Sequence, residues 1–285
     1  MARIVLVSAL CGLLGAACNS EQGRNEQRTI HDEDAPTARR VVRQDINAVT
    51  SGVAQAARVL RRGFQVEDPA QQERELRGML RRLQQPQSRH AIPGLMATPI
   101  TFVAAVGLDG NVICRDAEND LMRGFAIGEA APVVRRAIAG EAGRELSRLP
   151  SLEEGELPSV TLIFAAPAVI DDEVVGVIAA GLPLWRVAQQ ISRQLQLEHS
   201  DARERGHQMW AMMYDDEQEL HYHGGFPDTL IDLAPDAPAR SRGLSGSPGG
   251  YTGEFQQFGR WYGYGIVPIQ SIHDDVGVIL FRSEP

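Results

Sequence analysis

The sequence contains no lysine. All 28 of its basic residues are arginine, which excludes a lysine Schiff base and a lysine-based phosphate loop. Cysteine is nearly as scarce: of three, Cys11 lies in an N-terminal apolar run, Cys18 follows it directly, and Cys114 stands alone in the rest of the chain, so that remainder can form no internal disulfide. No apolar run reaches the twenty or so residues needed to span a bilayer. There is no Gly-x-Ser-x-Gly nucleophile turn, no His-Glu-x-x-His zinc motif and no Cys-x-x-Cys-His haem attachment, so no catalytic residue, metal or cofactor is expected. Excess positive charge is lacking too. The net charge is −9, and −10 once Arg3 is removed, which argues against a nucleic-acid partner.

What is present begins with a leader. Arg3 precedes an apolar run from Ile4 to Leu14, then Gly15, Ala16 and Ala17, the order of a secretory signal. Cys18 directly after Gly-Ala-Ala resembles the bacterial lipobox, in which the thiolate takes a diacylglyceryl group before cleavage and is then acylated further, typically with palmitate. The family places Leu three residues before the Cys; here Leu14 lies four before. The alternative is an ordinary secreted protein cut after Ala17. On the lipobox reading, residues 1–17 are removed, Cys18 is the lipidation site, and the mature protein is anchored to a bacterial membrane, facing the periplasm or the exterior. Residues 18–36 are polar apart from Ile30, too poor in apolar surface to offset ordering entropy, and are expected to be a disordered tether reaching about 20 to 25 Å.

Asp34 and Pro36 then supply a helix start, and Val42, Ile46, Val49, Val53 and Leu60 recur at helical steps through about residue 62. Asp68-Pro69 opens a second helix with Leu76, Met79, Leu80 and Leu83 on one side, ending before Pro86. From Thr101 the period becomes that of strands. Phe102 to Val106 and Val112 to Arg115 flank a turn at Asp109-Gly110, a short helix runs from Pro132 to Gly140, and Ser159 to Ile170 pairs with Glu173 to Gly181 around Asp171-Asp172. Leu184, Val187, Ile191 and Leu195 mark a further helix. The charged run from Glu198 to His207 places a boundary near residue 200. Beyond it Met209 to Asp215, Glu219 to His223, Tyr251 to Gln257, Arg260 to Ile269 and Val276 to Arg282 repeat the plan. Pro167 precedes Gly176-Val177-Ile178 by nine residues, and Pro268 precedes Gly277-Val278-Ile279 by the same nine, which predicts tandem modules.

The long helix, Asp109-Gly110-Asn111, the Pro167 strand and Glu173-Val174-Val175-Gly176-Val177-Ile178 resemble a Cache domain. The layout from residue 37 onward is similar to a double-Cache sensor. The fold class implied is α+β: a long N-terminal helix followed by two PAS-like antiparallel-sheet modules, one over 37–200 with the N-terminal helices and a smaller one over 201–285. In that family the sheet and its loops enclose a small ligand, often a carboxylate, amino acid or amine. Members usually feed a membrane-spanning helix and a cytoplasmic signalling module, and this sequence carries neither before Pro285. The resemblance therefore implies a non-enzymatic sensory lipoprotein signalling through an envelope sensor protein. The alternative is a structural or interaction lipoprotein that binds another envelope protein without a ligand.

Candidate ligand-binding residues on this resemblance are Arg115, Arg123, Thr161 and Phe164. Arg115 and Arg123 bracket the loop after the first hairpin, where a guanidinium can clamp a carboxylate through two bonds; each can equally form a surface pair with Asp116, Glu118 or Asp120. Eleven of the sixteen aromatic residues fall after residue 207, so Trp261, Tyr262 and Tyr264 are either a binding surface or the core of the small module. His221 and His223 share a strand face but make only half a metal site, and a hydrogen-bonded strand face is the simpler reading. Cys114 reads as a packed strand residue.

Overall fold

The computed structural model describes residues 24–118, 120–151, 158–257 and 259–284. The leader, Cys18 and the first part of the expected tether lie outside the described residues. Among the described residues no helix is long and apolar enough to cross a membrane.

Helical structure begins at residue 24, widens into a π turn over Ile30–Asp34, continues as α1 (Ala35–Leu60) and tightens into a 3-10 turn over Arg61–Gln65. The apolar positions expected for this helix are all buried. The tether reading is corrected for residues 24–36. They are helical, and Ile30 and Asp34 are fully enclosed. Composition misled because this stretch is buried largely through charge pairing rather than apolar surface.

The chain divides into two units, Val42–Val187 and a second made of Met1–Val41 with Ala188–Pro285. The division therefore assigns the N-terminal helical segment to the C-terminal sheet, where a linear boundary near residue 200 would not.

In the first unit α2 (Pro69–Leu83) is capped by Asp68, whose Oδ1 accepts from the Gln71 N–H at 2.7 Å. The short α3 (Pro93–Ala97) sets Gly94 against the Ala48 carbonyl, where a Cβ would collide. Five antiparallel strands follow: β1 (Phe102–Val106), β2 (Val112–Arg115), β3 (Gly143–Leu149), β4 (Ser159–Ile170) and β5 (Glu173–Pro183), in the order β2-β1-β5-β4-β3. The β4–β5 turn carries Asp171 and Asp172 at φ 48° and 64°, the left-handed pair of a two-residue hairpin. The strand β3 was not anticipated; it is a charged edge strand, and edges carry charge because an apolar edge invites pairing with another chain. Between β2 and β3 lie α4 (Ile127–Ala130) and α5 (Pro132–Ile138), which bury Ile127, Val133, Val134 and Ala137 against the sheet face bearing Phe102, Ala104, Ile163, Ala165, Val177 and Ala179. The opposite face carries Phe164, Ile178 and Ala180, and the Phe64 ring rests there against Gly176.

After α6 (Leu184–Glu198) and α7 (Ser200–Glu204), the second unit builds β6 (Gln208–Tyr214), β7 (Leu220–His221), α8 (Asp228–Ile231), α9 (Ala237–Gly246), β8 (Tyr251–Gln257), β9 (Arg260–Pro268) and β10 (Gly277–Ser283). Its order, β7-β6-β10-β9-β8, reproduces that of the first sheet. The proline echo marks equivalent strands one residue out of register, since Pro167 pairs with Val177 while Pro268 pairs with Gly277. On β9, Gly263 and Gly265 lie against Glu26, Gln27 and Ile30, so absent side chains let the N-terminal helical segment approach the sheet closely.

Candidate functional site

The strand register divides the sequence-expected residues between the two faces of the first sheet. Arg115 stands opposite Ala104, on the same face as Phe102 and Ala179, and Thr161 lies on that face beside Ile163 and Ala165. Phe164 pairs with Ala180 and points to the other face, which removes it from any shared site. Arg123 is also excluded. Its side chain is 65% exposed and its Nη2 lies 2.7 Å from Glu73 Oε2 on α2, so the surface-pair reading holds with a partner other than the three acids of its own loop.

Arg115 is only 3% exposed. Its Nη2 donates to the Thr101 carbonyl at 3.0 Å, its Nε lies 3.6 Å from Asp116 Oδ1, and its backbone N–H donates to Asp120 Oδ2 at 2.9 Å. The loop that holds it is itself held: Asp120 pairs with Arg77 at 3.1 Å, and Asp116 accepts from Gln84 Nε2 at 2.6 Å and from the Val103 N–H at 3.2 Å. The guanidinium is therefore positioned by α2 and β1 together.

On the other side of the face, Thr161 is fully buried with its Oγ1 3.1 Å from Ser159 Oγ. Its cross-strand partner is Ser147 on β3, whose buried Oγ has no hydrogen-bond partner among the described residues. A buried hydroxyl left unpaired costs about 1 to 3 kcal/mol, so an unpaired one marks a place where a partner would be gained. Three strand spacings, roughly 14 Å, separate the β2 and β4 backbones, and Thr161 lies four residues along β4 from Ala165, the residue in the row of Arg115. Between them lie small residues, Ala104, Ala165, Ala179 and Gly181, and the Phe102 ring covers Gly181 where a Cβ would collide. This face, covered by α4 and α5, carries a fixed guanidinium toward one side and three hydroxyls, Ser147, Ser159 and Thr161, toward the other. Such an arrangement suits a small molecule with an apolar body and an anionic or hydrogen-bonding end. Ser147 escaped sequence reasoning together with its strand.

The second unit resolves the aromatic question. Tyr262 and Tyr264 pack, partly buried, against its core: the Phe255 and Tyr262 rings stack at 5.1 Å and 6°, and Tyr264 meets Tyr251 edge-on at 6.3 Å. Trp261 alternates to the opposite face with Gly263 and Gly265, so the three residues form no common surface. His221 Nε2 lies 3.0 Å from Asp215 Oδ2 and His223 packs on Trp210 at 5.9 Å; no group of three metal-binding side chains is found among the described residues. Burial pushes the Cys114 thiol up to about 12, which makes it a packing residue.

One cluster escaped the sequence reading altogether. Arg282 on β10 is buried between Glu26, 2.6 Å from its Nε, and Asp34, 3.4 Å from its Nη1, and Asp34 also bonds His199 Nε2 at 2.8 Å. The Asp34 hydrogen bond raises the His199 pKa, while burial raises that of Glu26 against the opposing effect of Arg282. Thr37 Oγ1 donates to Glu198 at 2.8 Å, and Arg40 pairs with the same carboxylate. These contacts hold the N-terminal helical segment to its sheet.

No protein-family model matches the chain, and no curated protein does. Solved structures do. The ligand-binding domain of the Campylobacter jejuni chemoreceptor Tlp3, in complex with 4-methylisoleucine, aligns with a TM-score of 0.55 at 8% identity over 93% of this chain and 92% of that one. The ligand-binding domain of the Pseudomonas fluorescens chemoreceptor CtaA, in complex with L-alanine, gives 0.52 at 13% identity over 90% and 96%. That of the Pseudomonas aeruginosa chemoreceptor PctB, in complex with L-Arg, gives 0.51 at 15% identity over 90% and 94%. With a long N-terminal helix and two five-stranded antiparallel sheets of identical strand order, this chain has the α+β fold of the double-Cache-type sensor domains.

Proposed function

We propose that the protein is a non-enzymatic sensor whose first unit binds a small carboxylate or amino acid between Arg115 and the hydroxyls of Ser147 and Thr161. The observation that carries this reading is the unpaired, buried Ser147 Oγ on the sheet face that also bears the buried Arg115 and Thr161. The amino-acid ligands of the chemoreceptor domains that share the fold support it. The rest of the reading is that the chain is exported, anchored to a bacterial membrane through Cys18, and signals through a separate envelope protein.

A thermal-shift panel of L-amino acids and short carboxylates on the purified protein tests the site. A ligand at a hundred times its dissociation constant stabilises the folded state by about 2.7 kcal/mol. Calorimetry on the hit then separates roles: Thr161→Val keeps shape and is expected to weaken binding about five- to ten-fold by removing one hydrogen bond, and Arg115→Ala about ten-fold or more. Arg115→Lys is expected to rescue only in part, because a point charge lacks the planar fork. Equal affinity across wild type, Thr161→Val and Arg115→Ala would remove this face from the site, and an unresponsive panel would favour the adaptor alternative.

A further inference from the structure

The second unit carries a cleft of its own, away from the charge cluster of its N-terminal helical segment. It is an open cleft of about 370 Å³ lined by Tyr214, Gln218, Ser241, Ser245, Asp274 and Asp275. Leu244 and Pro248 add apolar wall.

Tyr214 is the informative residue. It is 2% exposed, yet its hydroxyl has no hydrogen-bond partner among the described residues and lies over Gly277, where any side chain would strike it. Burial pushes that hydroxyl up to about 12, and the Asp275 charge acts in the same direction, so the phenol stays neutral beside a carboxylate. The ring is fixed from behind by Arg240, whose guanidinium carbon stands 4.9 Å from the ring centroid. Arg240 does not make the cleft an anion site. Its nitrogens are spent on Gln218 Oε1 at 3.1 Å, the Gln218 carbonyl at 2.8 Å and the Pro235 carbonyl at 2.6 Å. Those bonds hold Gln218 at φ 67°, a left-handed conformation unusual for glutamine. Arg39 is likewise turned to the Gly249 carbonyl.

The lining therefore offers two carboxylates, hydroxyl and amide oxygens, an apolar wall and no basic side chain. Asp275 has His273 Nδ1 at 3.9 Å, and Asp274 accepts no hydrogen bond among the described residues. We propose that this cleft is a second ligand site, for a small organic ammonium ion whose N–H groups donate to the Tyr214 hydroxyl and the Asp275 carboxylate while its carbon chain lies along Leu244 and Pro248. The proposal concerns the second unit and does not depend on the first unit's ligand.

The test is calorimetry on the purified protein with ethanolamine, n-butylamine and 1,4-diaminobutane as probes and acetate as the anionic control. At least one amine is expected to bind saturably below about 10 mM, a range open to weak small-molecule sites. Asp275→Asn, at an exposed carboxylate, is expected to weaken it about three- to five-fold. Tyr214→Phe, which keeps the ring under Arg240, is expected to weaken it about five- to ten-fold. Absence of saturable heat with all three amines overturns the proposal, as does affinity equal to wild type in both cleft variants, or a preference for acetate.

Discussion

Asp45 sits on α1, 8% exposed, with its Oδ2 buried and without a hydrogen-bond partner. Burial alone lifts its pKa from 3.8 to about 6. Between those values the folded chain holds a proton that the unfolded chain has released. Stability is therefore fully present below pH 4 and declines as pH rises through 6, by about 1.4 kcal/mol per unit, or about 3 kcal/mol in all. Asp45→Asn keeps the side-chain shape and removes the charge. The buried amide carries its own unpaired cost of about 1 kcal/mol or more, so the net gain expected at pH 7.5 is about 1 to 2 kcal/mol. That corresponds to a melting-temperature rise of about 2 to 8 °C for a unit of this size. At pH 4 the advantage is expected nearly to vanish, because the wild-type carboxyl is then protonated in the folded state and carries no buried charge. Urea denaturation of both proteins at the two pH values, followed by far-ultraviolet circular dichroism, reads the difference. A variant less stable than wild type at pH 7.5 would mean that the carboxylate has a stabilising partner, and an equal gap at both pH values would show that charge is not what burial penalises.

Two further outcomes are expected. His199 gains its raised pKa from Asp34, so the pair's stabilisation is present below pH 6.5 and is lost as pH rises through the folded value. The stability difference between wild type and His199→Gln should be larger at pH 6 than at pH 9 in matched denaturant titrations, and a pH-independent difference would refute the pairing. Cys18→Ser should abolish metabolic lipid labelling and release the protein from the membrane fraction; labelling that persists in the variant would end the lipoprotein reading.

Much of the fold could be read in advance because its signals were local. The bounds of β1 and β2 followed from the Asp109-Gly110 turn, and those of α2 from Asp68 at one end and Pro86 beyond the other. The edge strand β3 was unreadable for the same reason that it is safe, since its charges hide the alternation a strand would otherwise display. The N-terminal helical segment was lost because its partner, Arg282, stands at the other end of the sequence. Site residues were harder still. Composition and period placed Thr161 and Phe164 on one strand, but only the register shows that they face opposite ways. Arg123 was drawn to acids of its own loop in sequence and found Glu73 fifty residues earlier.

The shared strand order also constrains how the protein can be made. In each unit the last strand to be synthesised lies in the middle of its sheet, between the first and the fourth. In the second unit β10 pairs with β6 across 63 to 75 residues, from Tyr214 with Gly277 to Gln208 with Ser283. Until β10 emerges, β6 with β7 and β8 with β9 are separate hairpins, each presenting an open edge. Two-stranded hairpins are marginal in water, and long-range pairing is slow because loop closure precedes its reward. Translation arrested, or a protease cut made, between Ile269 and Gly277 would not trim a border strand. It would remove the seam joining the halves of the sheet and leave two unpaired edges open to neighbouring chains.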